Sequence, residues 1–500
     1  MNLKRIKPAV FFILSLLIIL FIWQALSYLV NSELILPDFF AVAESFATLF
    51  TDKTFYLALV ASFCRVLAAF FLSAAVGLVL GILCGLSPAI QQLLSFPISF
   101  IRSTPVVSLI LIAVFWFRTT TIPVFAAFLM AVPVIISSVS QGILNTSQKL
   151  LDMAQVYGFS KKQKLLYIYF ESLRPFFTGS LISSFGMCWK VVAAGEVLVF
   201  PREGLGTLLQ SARIHLETQR VMALTACIVV LSFIFERILS FLLSHIHFSS
   251  AQIHGRTGNL IQHGQAGEPQ CPSITVKNLF MERGGKVLYR GFETRFESAS
   301  VTALIASSGT GKTSLLDYIS SILKADDKIS GTVEFDRMPE IAYIFQDGRL
   351  LENLTVLQNV MIPLVNRFDE KSAEKRARTF INKCGLTEKA HSPVKSLSGG
   401  QKQRACLARA FAYGCNILLM DEPFNSLDLP SKINLIQLLK KLLKDDPKTV
   451  IFVSHNIREI SLLCDRVKVL SGSPLTQKVN SDIGEFNTPD ALERAVLQNL

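Results

Sequence analysis

The strongest constraint on this chain is a set of apolar runs, each near 20 residues, confined to the sequence before about residue 245. A helix needs about 20 residues to cross roughly 30 Å of hydrocarbon, and in lipid only helices and closed barrels satisfy their backbone hydrogen bonds. Six runs read as spans: 9–30, 62–86, 97–117, 122–144, 175–199 and 221–245. The second and third have soft boundaries, because Pro97 and Pro105 interrupt the pattern. The first follows a basic Met1–Lys7; it exceeds a usual signal-peptide core and no small-residue cleavage site follows, so it reads as an uncleaved span. Overall 51% of the 500 residues are hydrophobic and the mean hydropathy is +0.45, above a usual soluble domain.

The formal charge is +12. No basic stripe interleaves with aromatics, so nucleic acid is not an expected partner; in a membrane protein Lys and Arg gather on the cytoplasmic side. Lys4, Arg5 and Lys7 place the N-terminus inside, and six spans then place the C-terminus inside too. The loop between spans four and five, with Lys149, Lys161, Lys162, Lys164 and Arg174, is cytoplasmic on the same count. Arg202, Arg213 and Arg220 in the next, outer loop break the rule. Nine cysteines without a CxxC pair argue against a disulfide framework or a zinc site and suit small buried hydrophobes in a reducing compartment.

Domain boundaries follow from composition. Residues 1–245 read as an all-α transmembrane domain of six helices, 246–272 as a polar linker rich in Gly, Ser, His and Gln, and 273–500 as an α/β domain. Strands are expected at 273–279, 301–306, 341–345, 417–420 and 450–453, in a largely parallel core sheet.

The α/β domain carries a phosphate-binding string. Ala306-Ser-Ser-Gly-Thr-Gly-Lys-Thr313 follows a strand and opens a helix, the context in which backbone N–H groups and the helix dipole hold an anion. Ser307, Ser308, Gly309, Thr310 and Gly311 would cradle the phosphates of ATP, Lys312 would bridge the β- and γ-phosphates, and the Thr313 hydroxyl would bind Mg²⁺. Ala306 stands where such loops usually have a first Gly; if that position needs positive φ, Ala costs on the order of 1 kcal/mol. Downstream, the apolar strand Ile417–Met420 ends in Asp421, placed to hold Mg²⁺, and Glu422, placed to polarise an attacking water as general base.

Leu397-Ser-Gly-Gly-Gln401 precedes that acidic strand, and with it the chain resembles the ABC ATPase family over nearly all of residues 273–475. The resemblance implies further roles. Ser398, Gly399, Gly400 and Gln401 would complete the ATP site of a second copy, so the working form is a homodimer with two shared sites. Gln346 resembles the Q-loop residue that senses Mg²⁺ and water, Ser426-Leu-Asp428 the D-loop, and His455 the switch histidine at the γ-phosphate. The family stacks adenine on an early aromatic; Glu282 falls near that place, Phe280 lies close and Tyr289 further on.

Residues 35–245 resemble the permeases of nitrate, sulfonate, taurine and thiamine-precursor importers. The carriers are Leu36-Pro-Asp38, Ser62-Phe-Cys-Arg-Val66, Gly77 to Gly85, Arg102-Ser-Thr-Pro105, and Ala194-Gly-Glu-Val197 with Gly204-Leu-Gly206. Asp152-Met-Ala154 with Gly158 resembles the inner loop by which importer permeases dock on their ATPase. The implied function is ATP-driven import of a small solute across the inner membrane, with permease and ATPase on one chain and an extracytoplasmic solute-binding protein as partner. A half-size exporter and a membrane-anchored regulatory ATPase are the alternatives. Within span five, Glu196 is expected to snorkel toward the outer edge, and Lys190 to bond a neighbouring helix in preference to attracting an anionic substrate.

Overall fold

The computed structural model describes residues 8–245 and 271–499, apart from Ser308, residues 324–326, Ser426 and Asn487. Most of the expected linker, the basic N-terminal residues, Ser308 of the phosphate loop and Ser426 of the D-loop therefore lie outside the described residues. The chain divides into two compact units. One comprises the residues up to Thr146 together with those from Tyr169 to the end of the last apolar helix; the other takes Ser147–Ile168 and the C-terminal part of the chain.

The first unit is helical. Four helices are long and apolar enough to cross a bilayer: Lys53–Leu86, Ile122–Leu144, Lys161–Val199 (shared by the two units) and a last one from Thr218. The first apolar run forms helix Pro8–Val30. The expected third span is not one helix. Pro88–Ser103 and Val106–Ala113 meet at 95°, because Thr104 lies before Pro105 and takes an extended ψ of 127°. Short helices Phe39–Leu49 and Leu205–Ile214, unseen in the hydropathy pattern, complete the unit.

Small residues set its tightest contact. Gly77, Gly81 and Gly85 recur every four residues on one helix face, and a Cβ at each would meet Ile135, Val139 or Ile143 at 2.5–2.7 Å. Their absence of side chains lets helices Lys53–Leu86 and Ile122–Leu144 approach closely, the usual device where lipid offers no hydrophobic drive.

Glu196 does not snorkel: it is fully buried. Its Oε1 accepts from Arg65 Nη1 at 2.5 Å, and Ser62 Oγ lies 2.8 Å from both carboxylate oxygens. The Gly206 N–H donates to Oε2 at 3.0 Å, and Ser62 Oγ accepts from the Leu205 N–H at 2.9 Å. A Cβ at Gly204 would stand 2.7 Å from this carboxylate and one at Gly206 2.3 Å from the Ala193 carbonyl, so the loop wraps the acid at contact distance. Three of the permease-like strings, 62–66, 194–197 and 204–206, thus meet at one buried ion pair. Lys190, six residues earlier, is exposed and bonds no neighbouring helix among the described residues, against expectation.

The second unit holds two sheets. Strands β1 (Ile274–Arg283), β2 (Lys286–Phe296) and β4 (Lys328–Phe335) form an antiparallel sheet in the order β2-β1-β4. Strands β3 (Val301–Ile305), β5 (Ile341–Ile344), β6 (Ile417–Asp421), β7 (Thr449–Val453), β8 (Arg466–Ser471) and β9 (Thr476–Asp482) form the second, in the order β5-β6-β7-β3-β8-β9. Its four pairings from β5 to β8 are parallel, as expected for the core sheet, and only β9 runs antiparallel. Every residue of β3, β6 and β7 is buried, as in a parallel sheet covered on both faces. All nine cysteines are free thiols, and eight are buried.

Removing Glu196 alone strands Arg65. Glu196→Leu is expected to cost on the order of 3–5 kcal/mol, and adding Arg65→Leu to recover much of it. Thermal unfolding of the detergent-solubilised protein reads both, and a double variant no more stable than the single one contradicts the pairing.

Candidate functional site

The phosphate loop lies between β3 and helix Lys312–Ile319, as its sequence context requires. Gly309 and Gly311 take φ of +72° and +123°, which a side chain would strain. Ala306 is not among the positive-φ residues, so the missing glycine costs nothing there. Instead its carbonyl accepts from Lys312 Nζ at 2.7 Å, and the Ser307 carbonyl accepts from the same ammonium at 2.8 Å. Thr310 Oγ1 donates to the Ser307 carbonyl at 2.7 Å. Burial lowers the pKa of Lys312, and the nearby Glu422 and Asp421 oppose that shift.

Across the loop, β6 delivers its two acids. Thr313 Oγ1 donates to Asp421 Oδ2 at 2.8 Å. Burial raises the Asp421 pKa, the Thr313 hydrogen bond pulling the other way. A hydroxyl oxygen and a desolvated carboxylate at contact distance form a donor set of the kind a hard divalent cation takes, and Mg²⁺ fits it. Glu422 is held at φ +45°, its N–H donating to the Val453 carbonyl at 2.9 Å. Such strain in a non-glycine residue is found where a side chain must be aimed. Its carboxylate accepts from Gln346 Nε2 at 3.4 Å and from Asn425 Nδ2, and lies 3.6 Å from His455 Nδ1. The three candidate catalytic residues therefore converge. A cavity of about 510 Å³ opens at Gln346 and Glu422, lined also by Arg283, Lys286, Leu288, Gly309, Gly311, Lys312, Thr313, Ser314 and Asp421.

The signature residues stand elsewhere. Ser398 caps helix Gly399–Tyr413 in a capping box with Gln401: Ser398 Oγ accepts from the Gln401 N–H at 3.4 Å, and Gln401 Oε1 from the Ser398 N–H at 3.1 Å. Ser398 and Gly399 are exposed, and none of 398–401 lines the phosphate cavity. Asp428 is also exposed; it caps the helix from Leu429, with Oδ2 accepting from the Ser431 N–H at 3.3 Å. Of the sequence candidates on the adenine side, Glu282 is paired with Lys328 at 3.0 Å, and Tyr289 is fully buried with its hydroxyl donating to the Gly311 carbonyl at 3.1 Å. Neither they nor Phe280 line the cavity.

Segment Ser147–Ile168 folds into this unit. Met153, Ala154, Tyr157, Phe159 and Ile168 belong to the same buried cluster as the core strands. Helix Gln148–Val156 ends at Gly158, φ +63°, with the Phe159 N–H donating back to the Ala154 carbonyl at 2.8 Å. Asp152 accepts from Arg349 Nη1 at 3.2 Å, and the same nitrogen donates to the Lys149 carbonyl at 3.2 Å. The Arg349 guanidinium lies 3.7 Å over the Phe345 ring, and Lys149 pairs with Asp347 at 2.9 Å. Tyr157 is 1% exposed. Its hydroxyl donates to the Tyr343 carbonyl at 3.3 Å, its ring lies beneath the Arg409 guanidinium, and it meets Tyr413 edge-on. Asn366 Nδ2 fastens the far end to the Gly158 carbonyl at 2.9 Å.

Sequence reasoning found Asp152, Ala154 and Gly158 but missed Tyr157, Arg349, Arg409 and Asn366. The available signal for Tyr157 was an aromatic beside Gly158, in a run of apolar residues (Leu150, Leu151, Met153, Ala154, Val156, Phe159) set at helical spacing within a cytoplasmic loop.

Comparison with known proteins accounts for both units. Residues 289–425 match the ABC transporter family, and residues 77–247 match the binding-protein-dependent transport system inner membrane component family. An aliphatic sulfonates import ATP-binding protein of Mesorhizobium japonicum is 32% identical over 217 residues, 43% of this chain and 85% of that protein. Its counterpart in Rhodopseudomonas palustris is 34% identical over 228 residues, 45% of this chain and 80% of the relative. A phosphonates import ATP-binding protein of Fusobacterium nucleatum is 27% identical, covering 42% of this chain and 94% of the relative.

Truncating Tyr157 removes the largest buried side chain of the docked segment. Tyr157→Ala is expected to weaken docking by on the order of 3–5 kcal/mol. Hydrogen exchange of the full-length protein should then show lost protection across 150–159, and protection equal to the parent's would contradict the packing.

Proposed function

This chain belongs to the ABC transporter family, and on that premise we propose that it is an importer in which two copies bring together two permease units and two ATPase units in the inner membrane. The observation carrying this reading is the docked segment. Ser147–Ile168 is continuous in sequence with membrane helices on both sides, yet its apolar residues are part of the ATPase core. Arg349, which bonds it, lies three residues from Gln346, which lines the nucleotide cavity. A closure at the nucleotide is thereby carried mechanically to the membrane helices. The permease match favours import over the exporter alternative.

In each half-site the phosphate loop and Lys312 bind the triphosphate of ATP. Thr313, Asp421 and Gln346 are the residues to hold Mg²⁺, which supplies charge neutralisation on the phosphates. Glu422 takes a proton from water as the water oxygen bonds to the γ-phosphorus; the bond from that phosphorus to the β-γ bridging oxygen breaks, and ADP and phosphate leave. His455 and Gln346, both within reach of the Glu422 carboxylate, orient the attack. Ser398–Gln401 and Asp428, none of which lines this cavity, meet the nucleotide of the second copy. ATP drives the cycle only through its preference for the closed dimer.

The solute is a small anion handed over by an extracytoplasmic binding protein. Lys190 supports this class. It stands nine residues before Val199, about 14 Å from the helix end at 1.5 Å per residue, close to half the hydrocarbon thickness. A bare ammonium there costs about 2.5–3.5 kcal/mol against lipid. It shares an exposed helix face with Gly179, Ser183 and Ala194, a small and polar lining suited to a pathway. The relatives named above import sulfonates and phosphonates, both anionic.

Two measurements test the proposal. Glu422→Gln is expected to retain ATP and lower turnover at least about 100-fold; unchanged hydrolysis removes Glu422 as the base. Lys190→Met should cut uptake of a short alkanesulfonate about tenfold in cells carrying the binding protein, with ATP turnover retained, and undiminished uptake refutes the anion pathway.

A further inference from the structure

The last apolar helix, Thr218–His245, carries Glu236 and Arg237 well inside the span. Glu236 precedes His245 by nine residues, about 14 Å at 1.5 Å per residue. Its carboxylate therefore stands near the middle of the hydrocarbon, as Lys190 does counted from the end of its own helix. An ionisable group at that depth is costly and calls for a partner or a pathway.

The helix Lys161–Val199 makes room for this acid at one place. A Cβ at Gly186 would stand 2.0 Å from Glu236 Oε1 and 2.9 Å from the carboxyl carbon, so only glycine admits the carboxylate there. Ser232, one turn before Glu236, brings its Oγ to 3.4 Å from Oε1, the long end of a hydrogen bond. Arg237 gives no cover, because its guanidinium lies 5.0 Å over the Phe233 ring. Glu236 thus has no ion pair among the described residues.

Lys190 follows Gly186 by four residues, one turn along the same helix face. Helical side chains lean back over the turn that precedes them. The natural direction of the Lys190 stem is therefore over the Gly186 turn, where the Glu236 carboxylate lies. Lys190 is exposed and, like Glu236, forms no ion pair among the described residues. Opposite charges set one turn apart, one of them on a flexible four-carbon stem, need only side-chain rotation to meet.

We propose that Glu236 is the solute's competitor for Lys190: its carboxylate pairs with the ammonium between transport events, and an anionic solute enters by displacing it. Pairing relieves both charges at mid-span. It also sets specificity, since an anion can replace a carboxylate on an ammonium and a neutral solute cannot. Apparent affinity falls with the fraction of time that a site is open, so an acid holding Lys190 about nine-tenths of the time weakens anion binding about tenfold. The proposal rests on the anion-pathway reading of Lys190 and adds the residue that regulates it.

The test is calorimetric binding of ethanesulfonate to the full-length protein in nanodiscs, without ATP. Glu236→Gln should bind it about tenfold more tightly than the parent. Lys190→Met should bind it about tenfold more weakly, and adding Glu236→Gln to Lys190→Met should change affinity less than about threefold, because the ammonium for which the acid competes is gone. Glu236→Asp, one methylene shorter, should tighten binding in the same direction by less, and covers the case in which the glutamine variant fails to fold. Affinity unchanged in a folded Glu236→Gln overturns the proposal. So does a tenfold tightening by Glu236→Gln on the Lys190→Met background, which would make the acid a general repellent of anions. Lys190→Met binding ethanesulfonate as tightly as the parent would refute the anion pathway itself, as would its binding to neither the parent nor Glu236→Gln.

Discussion

Burial of one ring fastens the segment Ser147–Ile168 into the ATPase unit. Tyr157 lies in the core of the ATPase unit, under the Arg409 guanidinium, with its hydroxyl on the backbone of Tyr343. Tyr343 is a residue of β5, and the chain leaving β5 passes through Gln346 to Arg349. The strand that seats the docked segment therefore also positions the glutamine beside Glu422 and the arginine that bonds Asp152. Interiors are close-packed, so such elements shift between discrete arrangements more readily than they deform. In the proposed cycle, a change at the phosphate cavity would reach the segment through covalent geometry and packed rings, with no long relay needed.

The chemistry is divided in a second way. The phosphate loop, Thr313, Asp421 and Glu422 share one cavity, whereas residues 398–401 lie outside it with Ser398 and Gly399 exposed. Their own needs are met locally, since the capping box satisfies both the Ser398 and Gln401 N–H groups at the helix start. The exposed face is thus stable without nucleotide and open to it. In the proposed dimer this makes each ATP a bridge: its phosphates are desolvated by the loop of one copy and the helix start of the other. Closure then follows ligand occupancy as a shift of population.

What could be read from the sequence divides by the range of the interactions. The phosphate loop, the acids Asp421 and Glu422 at the end of β6 and five strand positions were legible, because each is specified within a few residues by a glycine, a strand or a cap. The Ala306 question was answerable only from the backbone, where that residue avoids positive φ and gives its carbonyl to Lys312. Periodicity placed Glu196 on a membrane helix but is silent about Arg65, 131 positions away, and so misjudged a buried ion pair as a snorkelling acid. Hydropathy counted a third span but did not register that Pro105 bends it through 95°. The resemblance at Asp152, Ala154 and Gly158 read 147–168 as a cytoplasmic loop that docks on the ATPase, and the packing of Tyr157 and Met153 groups it with that unit.

Glu196 and Lys190 show what the membrane environment demands. Both are ionisable and six residues apart on one helix. Glu196 is neutralised within the unit by Arg65, two hydrogen-bonding neighbours and a glycine loop closed over it, so that its charge is spent on architecture. Lys190 has no such partner among the described residues and stands exposed near the middle of the span. A buried charge left unpaired is far costlier than one balanced by a partner. The helix therefore tolerates Lys190 where water or an anion reaches it, which is why the proposed import pathway runs past Lys190 while Glu196 is structural.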